Sequence, residues 1–164
     1  MKNFEEYREK YTKAELIEEN AMPSPIKMFQ DWMVGAINDH AVEPNAMVLS
    51  TVSLNYTPSS RVVLLRDFNV MGLSFFSNYN SRKGRELIVN PNATLLFFWP
   101  ELERQIIIEG EISRTSSEES DRYFNSRPKE SRINSLLSPQ SEIIPDRDFL
   151  VEKQKAFLEQ KRGV

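Results

Sequence analysis

The residues with the most evident chemistry lie between Arg61 and Arg85, in the segment RVVLLRDFNVMGLSFFSNYNSRKGR. Five basic side chains (Arg61, Arg66, Arg82, Lys83 and Arg85) face a single acid, Asp67, in a chain whose net charge is -3. Ser81, Arg82 and Lys83 stand where a helix should begin. A hydroxyl, the N–H groups of a helix start and two cations together suit a phosphate. Scattered arginines and lysines are more commonly solvated gatekeepers at a strand edge. Here the clustering points to an anionic ligand, one carrying phosphate. A second set, Tyr123, Arg127 and Ser131, recurs every four residues. That spacing places a phenol, a guanidinium and a hydroxyl on one side, provided that the break at Pro128 does not turn them apart. A plain polar helix face is the alternative.

These side chains need elements to position them. Arg61 to Asp67 alternates as a strand, with Arg61, Val63 and Leu65 on one face and Val62, Leu64 and Arg66 on the other. Met47 to Leu54 reads as the strand before it, joined by a turn over Asn55 to Ser60 that contains Pro58. A turn at Asn69 to Gly72 leads into Leu73 to Ser77. Ser81 to Val89 reads as a short helix that ends before Pro91. Ala93 to Trp99 is a strand so continuously apolar that both its faces should be covered. Arg104 to Arg114 is the next strand, with Gln105, Ile107 and Glu109 on one face and Ile106 and Ile108 on the other. Ser24-Pro25 predicts a helix to about Asn38, buried through Ile26, Phe29, Met33 and Ile37, with Trp32 at the flank. Phe4 to Glu19 has helical spacing and a mixed charge pattern, as expected of an arm. Thr115 to Glu118 resembles a capping box opening a helix to Ser126. Lys129 to Leu137 and, after Asp146, Phe149 to Lys161 complete the helices. Antiparallel strands with helices at the edges predict a mainly β fold, a small barrel.

Composition narrows the classes. A length of 164 residues suits one domain with a real core, and 40% hydrophobic with 27% charged residues is ordinary for a globular protein. The negative balance argues against general nucleic-acid binding. No cysteine is present, so there is no disulfide or thiolate metal site, which fits the cytoplasm. The single histidine, His40, sits in a polar turn and makes no histidine-rich metal site. The acidic N-terminus lacks the apolar core of a signal peptide, and no run approaches membrane-spanning length.

Taken together, RVVLLR (61–66), FFSN-x-x-SRKG (75–84), LLFFWPELERQIIIEG (95–110), YFNSRPKESRI (123–133) and SPQS (138–141) resemble pyridoxamine 5′-phosphate oxidase. YREKY (7–11) and SPIKMFQDW (24–32) extend the likeness toward the N-terminus. The resemblance implies an FMN-binding split β-barrel, mainly β with flanking helices, over 1–164. Its arm would be 1–20, its barrel strands 46–114 and its helical part 115–161. It further implies a homodimer with FMN at the subunit interface, and oxidation of pyridoxine or pyridoxamine phosphate to pyridoxal phosphate with oxygen. Carried over by motif, the FMN contacts fall on Arg61, Val62, Val63, Leu64, Leu65, Arg66, Phe76, Ser77, Arg82, Lys83, Gln105, Gln140 and Ser141. The substrate phosphate falls on Arg66, Tyr123, Arg127 and Ser131, with Arg8 and Tyr11 covering the substrate. The resemblance implies no metal and gives no general base, because the flavin carries the hard chemistry.

Two departures from the family pattern stand out. Lysine is common in the family where this chain has Arg66, which keeps the charge but changes its geometry. Family members also continue past the last helix with a tryptophan-glycine-glycine segment and a strand carrying Arg-Leu-His, where this chain has Lys161-Arg162-Gly163-Val164. The expectation is a truncated oxidase. The rival is a shortened, non-catalytic split-barrel protein that holds FMN or pyridoxal phosphate.

Overall fold

The computed structural model describes residues 3–7, 10–13 and 15–160, so Arg8, Ala14 and residues 161–164 fall outside the described residues. Six strands occur among the described residues: β1 (Ala46–Val52), β2 (Pro58–Leu64), β3 (Asp67–Asn69), β4 (Gly72–Ser74), β5 (Asn92–Trp99) and β6 (Arg104–Glu111). Five α-helices accompany them: α1 (Pro25–Asn38), α2 (Arg82–Val89), α3 (Ser117–Ser126), α4 (Lys129–Leu137) and α5 (Asp148–Gln160). The main sheet is antiparallel in the order β2-β1-β5-β6, and β3 and β4 form a separate hairpin.

Alternation decides which side of the sheet is buried. Cross-strand partners share a face, so Arg61, Leu49, Leu95 and Ile108 line one side, while Val62, Val48, Leu96 and Ile107 line the other. The first side receives α1. Phe29, Met33 and Ala36 of that helix pack with Met47, Leu49, Leu65, Leu95, Phe97 and Trp99. Phe29 sits edge-on to Phe68 at 5.3 Å and tilted against Phe97 at 5.2 Å. The Trp99 indole N–H donates to the Pro44 carbonyl at 3.0 Å, so the ring is buried without an unpaired donor. Each such ring contributes about 1.5–3 kcal/mol by leaving water.

Local signals place most boundaries. The Ser24 hydroxyl accepts from the Lys27 N–H with Pro25 at the first helical position, and the Asp146 carboxylate accepts from the Phe149 N–H at 2.8 Å. Several expectations need correction. Pro58 opens β2 rather than sitting in a turn; β2 is an edge strand, where the missing N–H breaks no ladder bond. The strands predicted to reach Ser77 and Arg114 stop at Ser74 and Glu111. The cap of α3 is Ser116, one residue later than expected, accepting from the Glu119 N–H. Ala36 takes the buried place assigned to Ile37, which is 54% exposed, because the stripe of α1 drifts as 3.6 residues per turn dictates. Among its described residues the N-terminal segment forms single 3₁₀ turns at Phe4–Tyr7 and Glu18–Asn20 in place of the expected helix. Polar contacts tie it to the body: the Glu103 carboxylate accepts from the N–H groups of Thr12 and Lys13 at 2.7 and 2.9 Å. Strand β5 is not covered on both faces within one chain. Phe98 is 56% exposed beside Ile107 at 54% and Val62 at 65%, all on the outer side of the sheet.

Candidate functional site

An open cleft of about 1670 Å³ runs between the edge strand β2, the β3–β4 hairpin, the start of α2 and the α3–α4 region. Arg61, Val62, Val63, Leu64, Arg66, Phe76, Ser77, Arg82, Lys83, Tyr123, Arg127, Gln140 and Ser141 all line it. Leu65 does not, because its side chain points into the core. Ser131 is half-buried on α4 but absent from the lining: Arg127 caps α3 in extended geometry, and the new axis set by Pro128 breaks the every-fourth-residue register. Gln105 sits on the outer sheet face opposite Phe98, away from the cleft. Tyr11 is exposed and does not reach the lining, and Arg8 lies outside the described residues.

The basic cluster is built around a carboxylate that the sequence patterns did not single out. Glu86, 7% exposed, lies one turn after Arg82 on α2. Its Oε1 accepts from Arg82 Nε at 2.9 Å, and its Oε2 accepts from Thr51 Oγ1 at 2.5 Å and Ser59 Oγ at 2.7 Å. Arg61 Nη2 completes the set at 3.4 Å. Burial pushes the Glu86 carboxyl up, but bonds from Ser59, Thr51 and Arg82, with the Arg82 charge, outweigh it and hold the group at about 2. Arg61 is itself anchored, donating to the Leu49 carbonyl, Thr51 and Ser59 at 3.2, 2.6 and 2.5 Å. Asp67 is thus not the acid that balances the cluster. Arg85, for its part, pairs with Glu142 at 2.7 Å. The i,i+4 spacing of Arg82 and Glu86 was the one sequence signal for this arrangement.

Lys83 is different. It is buried, and its ammonium donates to Ser81 Oγ at 3.3 Å and Gln140 Oε1 at 3.1 Å, both neutral. Among the described residues it has no carboxylate partner. Burial lowers its pKa, and the nearby Arg61 charge lowers it further. A buried cation bonded only to neutral groups suits an incoming anion. The Ser81 hydroxyl is not free to join it, because it donates to the Asn78 carbonyl at 2.7 Å and accepts from the Gly84 N–H as the cap of α2. Gly84 is required here by close approach: a Cβ would stand 2.2 Å from the Tyr79 carbonyl oxygen. That contact brings the loop before α2 tight against its first turn.

The far wall of the cleft is aromatic. Phe76 and Tyr123 stack with ring centres 3.9 Å apart and planes within 5°. The Arg66 guanidinium lies over Tyr123 at 5.6 Å, and that of Arg114 lies over Tyr79 at 4.4 Å. Arg114 and Tyr79 also line the cleft and were not singled out from sequence. Among the described residues no cluster of histidine, cysteine, aspartate and glutamate could hold a metal, and no helix is long and apolar enough to cross a membrane.

Comparison with known proteins places this geometry. Residues 33–160 match the family model described as pyridoxamine 5′-phosphate oxidase. A pyridoxine/pyridoxamine 5′-phosphate oxidase of Leptospira interrogans (strain Fiocruz L1-130) is 47% identical over 155 residues, covering 94% of this chain and 72% of that protein. One from Polaromonas sp. (strain JS666 / ATCC BAA-500) is 51% identical, covering 88% and 67%. Among solved structures, PhzG from Burkholderia lata 383, in complex with tetrahydrophenazine-1-carboxylic acid, superposes with a TM-score of 0.83 at 28% identity, covering 93% of this chain and 76% of that one. A pyridoxamine 5′-phosphate oxidase-related, FMN-binding protein from Nostoc punctiforme PCC 73102 shares the fold, with a TM-score of 0.61 at 18% identity over 80% and 73%. The architecture, a mainly antiparallel sheet with flanking helices, is the FMN-binding split barrel. With the family model spanning most of its length and relatives near half identity, this chain belongs to the pyridoxamine 5′-phosphate oxidase family.

Proposed function

We propose that this chain binds FMN in the cleft and oxidises pyridoxamine 5′-phosphate or pyridoxine 5′-phosphate to pyridoxal 5′-phosphate, with oxygen as the final acceptor. One observation carries the reading: a single cleft is lined by cations from different elements, Arg82 and Lys83 at the start of α2, Arg66 over Tyr123, and Arg127 at the end of α3. Two phosphorylated ligands in one site need that arrangement. The cleft also exceeds the roughly 300–1,000 Å³ usual for one small ligand.

The residues fit the cofactor. Lys83 and Arg82 hold its phosphate, Arg61 adds to the field, and Gln140 and Ser141 bond polar atoms of the ribityl chain or ring. When bound, FMN supplies the hydride-accepting chemistry. The protein's part is positioning: Arg66, Tyr123 and Arg127 take the substrate phosphate, and the energy of that contact orients the reacting ring. Ser131 belongs to this set if α4 turns toward a bound ligand, and Tyr11 and Arg8 close over it. A homodimer explains Gln105. A second copy packed on the outer sheet face would cover Val62, Phe98 and Ile107 and bring Gln105 toward the partner's flavin. We place the protein in the cytoplasm.

The test is pyridoxal phosphate formation by this chain supplied with FMN, oxygen and pyridoxamine phosphate, with a tetrahydrophenazine carboxylic acid assayed in parallel. Turnover of the vitamer is the expected result. Bound flavin with no turnover would favour the non-catalytic binding protein, and turnover of the carboxylic acid alone would reassign the substrate.

A further inference from the structure

The buried carboxylate of Glu86 is unexpected in a site for anions. Unless it does something, a negative charge beside a phosphate only weakens binding. Its bonds indicate what it does. Thr51 and Ser59, on adjacent strands, fix Oε2, and Oε1 takes the Nε–H of Arg82. Among the described residues the Arg82 guanidinium has no other protein partner, so both terminal Nη groups are left for a ligand. Guanidinium is a planar fork, so a side-on bond through Nε leaves two parallel donors on a fixed edge. A lysine at the same place has one charged point and no second edge.

We propose that Glu86 is a positioning residue for the cofactor phosphate, holding Arg82 by its Nε so that the free Nη pair grips the phosphate at two points. The inference rests on the reading that FMN binds here. Glu86 also sets the local charge. Arg61, Arg82 and Lys83 with one carboxylate leave two positive charges, matched to the roughly -1.5 to -2 of a phosphate monoester near pH 7. Arg61 is held by the same carboxylate, so its guanidinium is fixed on the wall of the β1–β2 edge before any ligand arrives.

The experiment titrates the chain with FMN and, separately, with riboflavin, which lacks the phosphate. Flavin fluorescence is followed for the natural sequence, Glu86→Gln and Arg82→Lys. The natural sequence should bind FMN at least about tenfold tighter than riboflavin. Glu86→Gln should weaken FMN on the order of tenfold, the scale of one charge-assisted bond, and leave riboflavin unchanged. Arg82→Lys changes a half-exposed side chain and keeps the charge, so its fold is not at stake; it should lose FMN affinity in the same way. Tighter FMN binding by Glu86→Gln would mean that the carboxylate acts by charge alone, overturning the proposal. So would equal losses of both flavins, or an Arg82→Lys variant that binds FMN normally. No preference for FMN over riboflavin in the natural sequence would remove the cofactor reading itself, and the proposal with it.

Discussion

The two cationic walls of the cleft are built on different principles. At the β1–β2 edge and the start of α2, Arg61, Arg82, Thr51, Ser59 and Glu86 form a closed set of short polar contacts, all anchored on sheet or helix. Across the cleft, Tyr123 of the short helix α3 stacks on Phe76, Arg66 reaches over its ring from the link between β2 and β3, and Arg127 caps α3. The first wall is complete before a ligand binds. The second has an exposed Arg66 beside half-buried Tyr123 and Arg127, and no carboxylate ties these cations among the described residues. On the proposed function, the first wall would serve a resident cofactor and the second an exchanging substrate.

The sharpest way to break this contrast is one alanine on each side. Arg61→Ala strips four bonds from a mostly buried guanidinium and takes a cation from Glu86, so it should cost on the order of 3 kcal/mol of stability. Arg127→Ala should lower unfolding stability in denaturant titration by less than about 0.5 kcal/mol and raise the Kd for substrate phosphate about tenfold or more. Its FMN affinity should hold. Equal loss of both ligands on Arg127→Ala would mean that the walls are not separate sites.

Acid should sharpen the contrast next. The folded Glu86 carboxyl sits at about 2, below its ordinary 4.5, so its ionised form favours the folded state. That contribution is whole above about pH 5 and is lost as pH falls toward 2, on the order of 3 kcal/mol in all. Acid unfolding followed by circular dichroism should therefore be shallower for Glu86→Gln than for the natural sequence over that window. The smallest effect belongs to Arg85→Ala. Its ion pair with Glu142 is half exposed at both ends, so its loss should cost no more than about 1 kcal/mol and fade in high salt.

Much of this was legible in the chain. Ser24-Pro25, Ser81 before Arg82-Lys83, and Asn90-Pro91 mark helix ends through bonds that close within a few residues, so local sequence suffices for them. Alternation in β2 and β6 correctly sorted Arg61 from Val62 and Ile106 from Ile107. The motifs over residues 61–141 pointed to the family that the comparisons show. Less legible was anything that depends on two distant segments meeting. Phe98 looked buried because apolar runs usually are, whereas its face lies open in a single chain.

The sequence by itself determined most of the elements, the family and which residue types gather in the basic cluster. Tertiary structure alone decided how their charges are balanced. Thr51 and Ser59 reach Glu86 across 35 and 27 residues, only because the β1–β2 edge packs under α2. Likewise, only the changed axis at Pro128 separates Ser131 from Tyr123 and Arg127 in the cleft wall. Periodicity describes which side of an element a residue occupies, and it contains nothing about which element lies opposite. The partner of a buried charge is chosen by that packing, since an ion left in the interior with neither a countercharge nor hydrogen bonds costs too much to persist.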